Sequence, residues 1–255
     1  MDKEIFEQIT KKKDFSQLPK KDVEKAFEQF ERRQCSDEEK IRLTRDLLRK
    51  VFSAFASKKI LSLKDKDAEW VLRKHISTRE RLAYYSELYS RLLKDFDNEK
   101  TIYDLGAGIN GFSYNYFPKN TFYVAIEAMG QLVELMNYYF KTRGLEKAMA
   151  IHESLFELEK LKRYLKQANG KKIIFLFKTI DSLEMLERDY SKKLLLEIVP
   201  LVDRVVVSFA TRSLIKRTEF KVKRNWIIDF IKSNFDVLDE FELGNEIYVV
   251  FRNNL

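Results

Sequence analysis

The sequence predicts an α/β protein with a seven-stranded sheet, whose last strand is antiparallel, behind a helical N-terminal domain. Up to about residue 95, apolar residues recur three and four positions apart, which is the spacing of amphipathic helices. From residue 100, strand-like runs alternate with helical stretches, as in a parallel sheet covered by helices. The chain ends in two apolar-rich runs joined at Gly244-Asn245, a hairpin turn that reverses the final strand.

The N-terminal helices follow from apolar spacing. Val23, Phe27 and Phe30 lie on one face of a first helix, and a second helix covers residues 41–55. Ser36-Asp37-Glu38-Glu39 precedes this second helix and is typical of a helix start with acids in the first turn. A third helix is predicted over 80–96. We therefore expect a helical domain over 1–95 and the α/β domain over 96–255.

The elements of the α/β part follow from the change in period. Predicted strands are 101–106, 121–127, 148–152, 172–178, 203–210, 235–243 and 246–252. Predicted helices are 129–143, 154–168, 182–199 and 223–234.

Composition limits the class of protein. The 255 residues are 45% hydrophobic and 35% charged, so the chain can fill a core. The formal net charge of +8 suits an anionic partner such as nucleic acid, although a solvated basic surface explains it as well. Cys35 is the only cysteine, which excludes an intrachain disulfide and a cysteine zinc cluster. With no apolar signal core or membrane-length run, we expect a soluble, cytoplasmic, metal-free monomer.

The residues from Thr101 to Gly111 carry the chemistry. They read T-I-Y-D-L-G-A-G-I-N-G, a strand followed by the spacing G-x-G-x-x-G at Gly106, Gly108 and Gly111. Such a loop turns tightly and brings backbone N–H groups against a ligand, because no Cβ intervenes. Glu127 ends the next strand about 20 residues later, where a carboxylate can accept from ribose hydroxyls. The pattern predicts a nucleoside-cofactor site.

Two features favour S-adenosylmethionine (SAM) over a nicotinamide dinucleotide as that cofactor. Asp104 stands two positions before the first glycine, in the D-L-G-A-G form that is usual in SAM methyltransferases. The reversed seventh strand is also typical of them. Asp104 and Glu127 can bind the amino group and the ribose, while the open loop accommodates the sulfonium. The nicotinamide cofactor stays as the alternative.

Three further segments make a resemblance specific. They are H-I-S-T-R-E-R-L at 75–82, F-K-T-I-D-S-L-E at 177–184 and V-V-S-F-A-T-R-S-L at 206–214. Together with D-L-G-A-G-I-N, they resemble the 16S ribosomal RNA methyltransferases that confer aminoglycoside resistance, the guanine-N7 group. The resemblance covers most of the chain, including a helical N-terminal domain that would dock on rRNA in the small ribosomal subunit.

The resemblance implies a role for each matching residue around SAM. His75, with Arg79 or Arg81, would close over the methionine end and pair with its carboxylate. Glu127 would hold the ribose. Glu153, Ser154 and Leu155 would flank the adenine. The full expected cofactor set is His75, Arg79, Arg81, Asp104, Gly106, Gly108, Glu127, Glu153, Ser154 and Leu155.

The resemblance also implies a target-base pocket at the ends of the fourth and fifth strands. Its expected residues are Lys178, Thr179, Ser208, Phe209, Thr211 and Arg212. Guanine N7 carries a lone pair and no proton, so the reaction needs positioning but no general base. An adenine N1 or an exocyclic amine would need an acceptor, for which Asp181 and Glu184 are the candidates.

A basic stretch follows this pocket and is expected to grip RNA phosphates. Its residues are Lys216, Arg217, Lys221, Lys223 and Arg224. Ala210 stands where the family usually has proline, so methylation at another RNA site stays open. The remaining alternatives are a SAM methyltransferase of a small molecule or protein, and a non-catalytic ribosome-binding relative.

Overall fold

The N-terminal part of the chain is helical, as the sequence predicts. The computed structural model describes residues 1–52, 66–96, 99–211 and 224–254. Its first helices are α1 (Lys3–Thr10), α2 (Lys20–Glu31), α3 (Asp37–Phe52), α4 (Ala68–Leu72), α5 (Ile76–Arg81) and α6 (Tyr85–Leu93). The sequence reading missed α1 and α4. Its helix over 80–96 covers α6 but only the last two residues of α5, and the last positions of its 41–55 helix lie outside the described residues.

The sheet has the predicted strands in a mixed order. They are β1 (Lys100–Leu105), β2 (Thr121–Glu127), β3 (Ala148–His152), β4 (Lys171–Phe177), β5 (Arg204–Ala210), β6 (Asp236–Leu243) and β7 (Glu246–Arg252). The spatial order is β3-β2-β1-β4-β5-β7-β6. Only β7 runs against its neighbours β5 and β6, so the predicted fold class is confirmed.

The helices of the α/β part follow the prediction with one exception. They are α7 (Gly130–Thr142), α8 (Leu158–Gln167), α9 (Ile180–Leu186), α10 (Tyr190–Ile198) and α11 (Asn225–Asn234). The single helix predicted over 182–199 is wrong, because the chain breaks between α9 and α10 at Asp189, which has a φ of 61°. Glu184 stabilises the break, since its carboxylate accepts from the backbone N–H groups of Asp189 and Ser191 at 2.7 and 2.9 Å.

The N-terminal helices pack directly on the α/β part and share its apolar core. Gln29 on α2 donates to the carbonyls of Met185 and Leu186 at 2.7 and 2.9 Å, which fixes α2 against the end of α9. At the other edge, the Arg204 guanidinium donates to the Leu92 carbonyl at 2.6 Å. None of the helices in the described ranges is long and apolar enough to cross a membrane.

Candidate functional site

The glycine turn after β1 places bare backbone at the carboxyl edge of the sheet. Gly106 has a φ of +72°, in the left-handed region that glycine tolerates best. A Cβ on Gly106 would lie 2.8 Å from Cγ2 of Thr179, so there is no room for a side chain. Thr179 is fixed there because its hydroxyl donates to the Leu105 carbonyl at 3.0 Å. The carboxyl ends of the adjacent strands β1 and β4 therefore contact each other at this turn.

A cleft opens beside Gly106. It is bounded by apolar side chains, two carboxylates and the polar start of α9. Five sequence-predicted site residues line it: Gly106, Glu127, Leu155, Lys178 and Thr179. The other lining residues are Asp22, Val51, Phe52, Ala128, Phe177, Ser182, Leu183 and Leu186. Apolar walls with a few polar groups are the usual composition of a small-molecule site.

The two predicted acids of the loop are both buried and hold it in shape. Glu127 accepts from the backbone N–H groups of Gly108 and Met129 at 2.8 Å each. Burial raises the pKa of Glu127. Asp104 accepts from Asn110 Nδ2 and the Tyr123 hydroxyl, each at 2.7 Å, and burial raises its pKa too. Asp104 thus caps the loop, whereas Glu127 both caps it and faces the cleft.

A second, smaller cavity lies on the other side of the same turn. His75, Arg81, Asp104, Gly106 and Lys178 all line it. The contact of His75 and Arg81 with a methionine end stays a prediction. Burial, with a smaller effect of the nearby cations, lowers the pKa of His75 to about 3. His75 is therefore a neutral imidazole at physiological pH.

Glu246 organises the polar side of this second cavity and was missed from the sequence. Its carboxylate lies 2.9 Å from Arg81 Nε and 3.3 Å from Lys178 Nζ, and it accepts from the Ser208 hydroxyl at 2.6 Å. Although burial opposes ionisation, these cations lower the pKa of Glu246. A signal was present, because the Gly244-Asn245 hairpin puts the first residue of β7 opposite Ala210, at the carboxyl end of β5.

Other predicted cofactor residues do not line either cavity. Arg79 is exposed on α5. The Glu153 carboxylate is turned to Lys160, at 3.1 Å, and Ser154 is buried with its hydroxyl accepting from the Phe156 N–H. Their direct contact with a cofactor stays a prediction.

The predicted target-base residues divide into two groups. Lys178 and Thr179 line the cleft. Ser208 is buried under Glu246, and Phe209 is buried with the Arg224 guanidinium over its ring at 5.6 Å. Thr211 is half-buried, and its N–H donates to Asn245 at 2.9 Å. Because neither Ser208 nor Phe209 lines the cleft, their role in a base pocket stays a prediction.

The predicted RNA-binding stretch is mostly outside the described residues, which exclude Arg212, Lys216, Arg217, Lys221 and Lys223. Arg224 is described. It is buried, lies 2.7 Å from Asp181 Oδ2, and donates to the Ala210 carbonyl at 2.9 Å. These contacts join the start of α11 to the end of β5 and the first turn of α9, which is a structural role for Arg224.

A seven-stranded sheet in this order, with a glycine turn, a terminal carboxylate on β2 and an adjoining cleft, defines the fold class of the SAM methyltransferases. Residues 39–225 match the family described as ribosomal RNA methyltransferase (FmrO). The chain belongs to this family, and the resemblance found in the sequence is confirmed.

Two curated relatives carry the name 16S rRNA (guanine(1405)-N(7))-methyltransferase. The protein from Proteus mirabilis is 22% identical over 188 residues, which cover 71% of this chain and 63% of the relative. The protein from Micromonospora echinospora is 27% identical over 184 residues, covering 69% and 62%. The match thus spans somewhat less than two thirds of each relative.

The whole fold also has a solved counterpart. The structure of the 16S rRNA methyltransferase RmtF in complex with S-adenosyl-L-homocysteine superposes with a TM-score of 0.79. It is 19% identical, and the superposition covers 100% of both chains. The helical N-terminal region is therefore part of the shared architecture.

Proposed function

We propose that this chain is a SAM-dependent methyltransferase of small-subunit ribosomal RNA that modifies guanine N7. The observation that carries the proposal is the family match over 39–225, which includes the glycine turn and most of the residues that line the cleft. The names of the two curated relatives support guanine N7 as the target.

In this proposal the two cavities hold the two ends of SAM. The larger cleft offers apolar walls and the Glu127 carboxylate to an adenosine, and the smaller one offers His75 and Arg81 to an amino-acid end. Arg81 keeps N–H donors beyond those used on Glu246, since a guanidinium carries five. When bound, SAM supplies an electrophilic methyl group on a sulfonium.

The chain's own contribution is to position the base and exclude water. Lys178, Thr179 and Ser182 line the cleft at its polar side, and N7 attack requires none of them to accept a proton. The two carboxylates predicted to accept a proton from an amine target, Asp181 and Glu184, have other partners. Asp181 is paired with Arg224, and Glu184 caps α10. This engagement favours N7 over an exocyclic amine.

The region 1–95 and the basic stretch after β5 provide the RNA contacts in this proposal. The helical region would dock on folded 16S rRNA through shape and phosphate contacts, as RNA helices are generally recognised. Lys216, Arg217, Lys221 and Lys223 would hold RNA phosphates.

Binding and methyl transfer test the proposal separately. Calorimetry with SAM and S-adenosylhomocysteine is expected to show one site per chain. Radiolabelled methyl transfer is then compared on intact small subunits, naked 16S rRNA and a small-molecule panel, and primer extension maps the product. Label on the subunit at a guanine N7 supports the proposal. No affinity for either nucleoside, or label only on a small molecule, overturns it.

A further inference from the structure

The larger cleft contains a carboxylate that the N-terminal helices supply. Asp22 lies in the first turn of α2 and is only 3% exposed, yet its side chain lines the cleft together with Glu127 and Leu155. Ser154 lies beside it and acts to lower its pKa. Asp22 Oδ2 accepts no hydrogen bond from any residue in the described ranges.

A buried carboxylate oxygen without a donor is unfavourable, because burial removes its water and nothing replaces it. α2 is held in place by the two Gln29 hydrogen bonds and by Lys25, which lies 3.0 Å from Glu187. Asp22 is thus kept at the cleft by contacts on its own helix. A donor from a bound ligand would satisfy Oδ2.

The residues after β3 do not supply the carboxylate at this part of the cleft, so Asp22 does. Glu153, which the sequence analysis placed beside the adenine, is held by Lys160 at 3.1 Å. Ser154 is buried between the Phe156 N–H and Asp22. Among the described residues that line the cleft, the only carboxylates are Asp22 and Glu127, and Glu127 accepts from two backbone N–H groups.

The walls next to Asp22 suit a flat base. Leu155, Leu183, Leu186 and Phe52 line the same cleft and offer apolar surface on several sides. A purine between such walls exposes its polar atoms only at its edge. An amino group on that edge would donate to a carboxylate, whereas a keto oxygen there would be repelled by it.

We propose that Asp22 Oδ2 accepts a hydrogen bond from the exocyclic amino group of the cofactor's adenine, so that helix α2 is part of the nucleoside site and selects 6-amino over 6-oxo purines. This inference rests on the proposed SAM-dependent function and deepens it, because it assigns base selectivity to a residue outside the α/β part.

The test compares two ligands that differ only at purine position 6, S-adenosylhomocysteine and S-inosylhomocysteine, by calorimetry at pH 8. The native chain should bind the adenosyl ligand more tightly. Asp22→Ala should weaken that ligand roughly tenfold to a hundredfold, the usual effect of losing a hydrogen bond to a charged group, and leave the inosyl ligand nearly unchanged. Asp22→Asn should improve inosyl binding, because its amide N–H can donate to the keto oxygen.

The controls separate folding, function and selectivity. Asp14→Ala, an exposed acid of the same region, should leave both affinities unchanged, and thermal unfolding checks that each variant is folded. If the native chain binds neither ligand, the proposed function fails. If it binds the adenosyl ligand but Asp22→Ala and Asp22→Asn keep the native preference between the two ligands, the role of Asp22 is overturned and the proposed function stands.

Discussion

Arg81 Nε lies 2.9 Å from Glu246 Oε2 in a fully enclosed ion pair, with the two side chains 5% and 2% exposed. The pair joins the end of α5 to the start of β7 and so couples the N-terminal helices to the edge of the sheet that carries the site. Lys178 and Ser208 share the same carboxylate. One acid thus orients residues from three separate segments.

Removing this acid should be strongly destabilising. Glu246→Ala leaves Arg81 and Lys178 buried without their shared carboxylate, and breaking a buried pair in this way costs about 3–5 kcal/mol. Urea unfolding measures the loss of unfolding free energy.

A matched control is Asp239→Ala. The Asp239–Arg91 pair also links an N-terminal helix to the terminal hairpin, at 2.8 Å, but its side chains are 35% and 44% exposed. The control should cost at most about 1 kcal/mol. Equal losses of unfolding free energy in the two variants would refute the role of Glu246 in joining these three segments.

The close approach of Gly106 to Thr179 gives a second prediction. Gly106→Ala should cost about 2–4 kcal/mol, because a positive φ adds strain and the new methyl group meets Cγ2 of Thr179 at 2.8 Å. It should also abolish SAM binding in calorimetry. Gly144→Ala is the control, since Gly144 has a φ of +62° but nothing lies within 4 Å of its Cβ position. It should show only the backbone strain of about 1–2 kcal/mol.

A rescue variant isolates the steric part of that effect. Thr179→Ala removes the methyl and hydroxyl groups that the new Cβ would meet, so adding it to Gly106→Ala should restore part of the lost stability. If the double variant is no more stable than the sum of the two single changes predicts, the contact with Thr179 is not the cause of the loss.

The sequence could predict the sheet but not every group at its edge. Strand positions follow from local periodicity, and the Gly244-Asn245 turn alone determines that the last strand is reversed. Asp22, in contrast, has the local pattern of an ordinary first-turn acid of a helix. Its burial depends on where α2 packs against α9, which is a long-range contact with no local signal. For Glu153, the sequence analysis expected a contact with the adenine. Its carboxylate instead contacts Lys160, because of where α8 lies.

The basic stretch after β5 gives a prediction about RNA. Replacing Lys216, Arg217 and Lys221 by glutamine should weaken binding to the small subunit. It should also lower the slope of log affinity against log salt by roughly two to three, if each residue neutralises one phosphate. Filter binding at several salt concentrations measures it. Arg224→Gln should lower thermal stability but keep the native slope, because its guanidinium is buried on Asp181. A triple variant with the native slope would contradict the phosphate role.

The surroundings of Asp22 predict how its charge depends on pH. Burial, with smaller effects of Glu127 and Glu153, raises the pKa of Asp22 from 3.8 to about 7, while Ser154 opposes the shift. Tyr190 also lies close enough to interact with it. In the unfolded chain Asp22 ionises near pH 4, so between pH 4 and 7 the unfolded state holds fewer protons at this residue than the folded state. Its contribution to folding therefore becomes less favourable as pH rises through that range.

Asp22→Asn removes this titration at almost constant volume. The variant should match the native chain near pH 4 and exceed it in free energy of unfolding by up to about 4 kcal/mol at pH 8, where the native carboxylate is charged and buried. Urea unfolding at pH 4, 6 and 8 measures the difference. Asp14→Asn, the same exchange at an exposed position, is the matched control. Native and Asp22→Asn stabilities that stay parallel from pH 4 to 8 would show that Asp22 is ionised and satisfied in the folded chain. In that case Asp22 Oδ2 would already have a hydrogen-bond donor in the folded chain and would need none from a ligand.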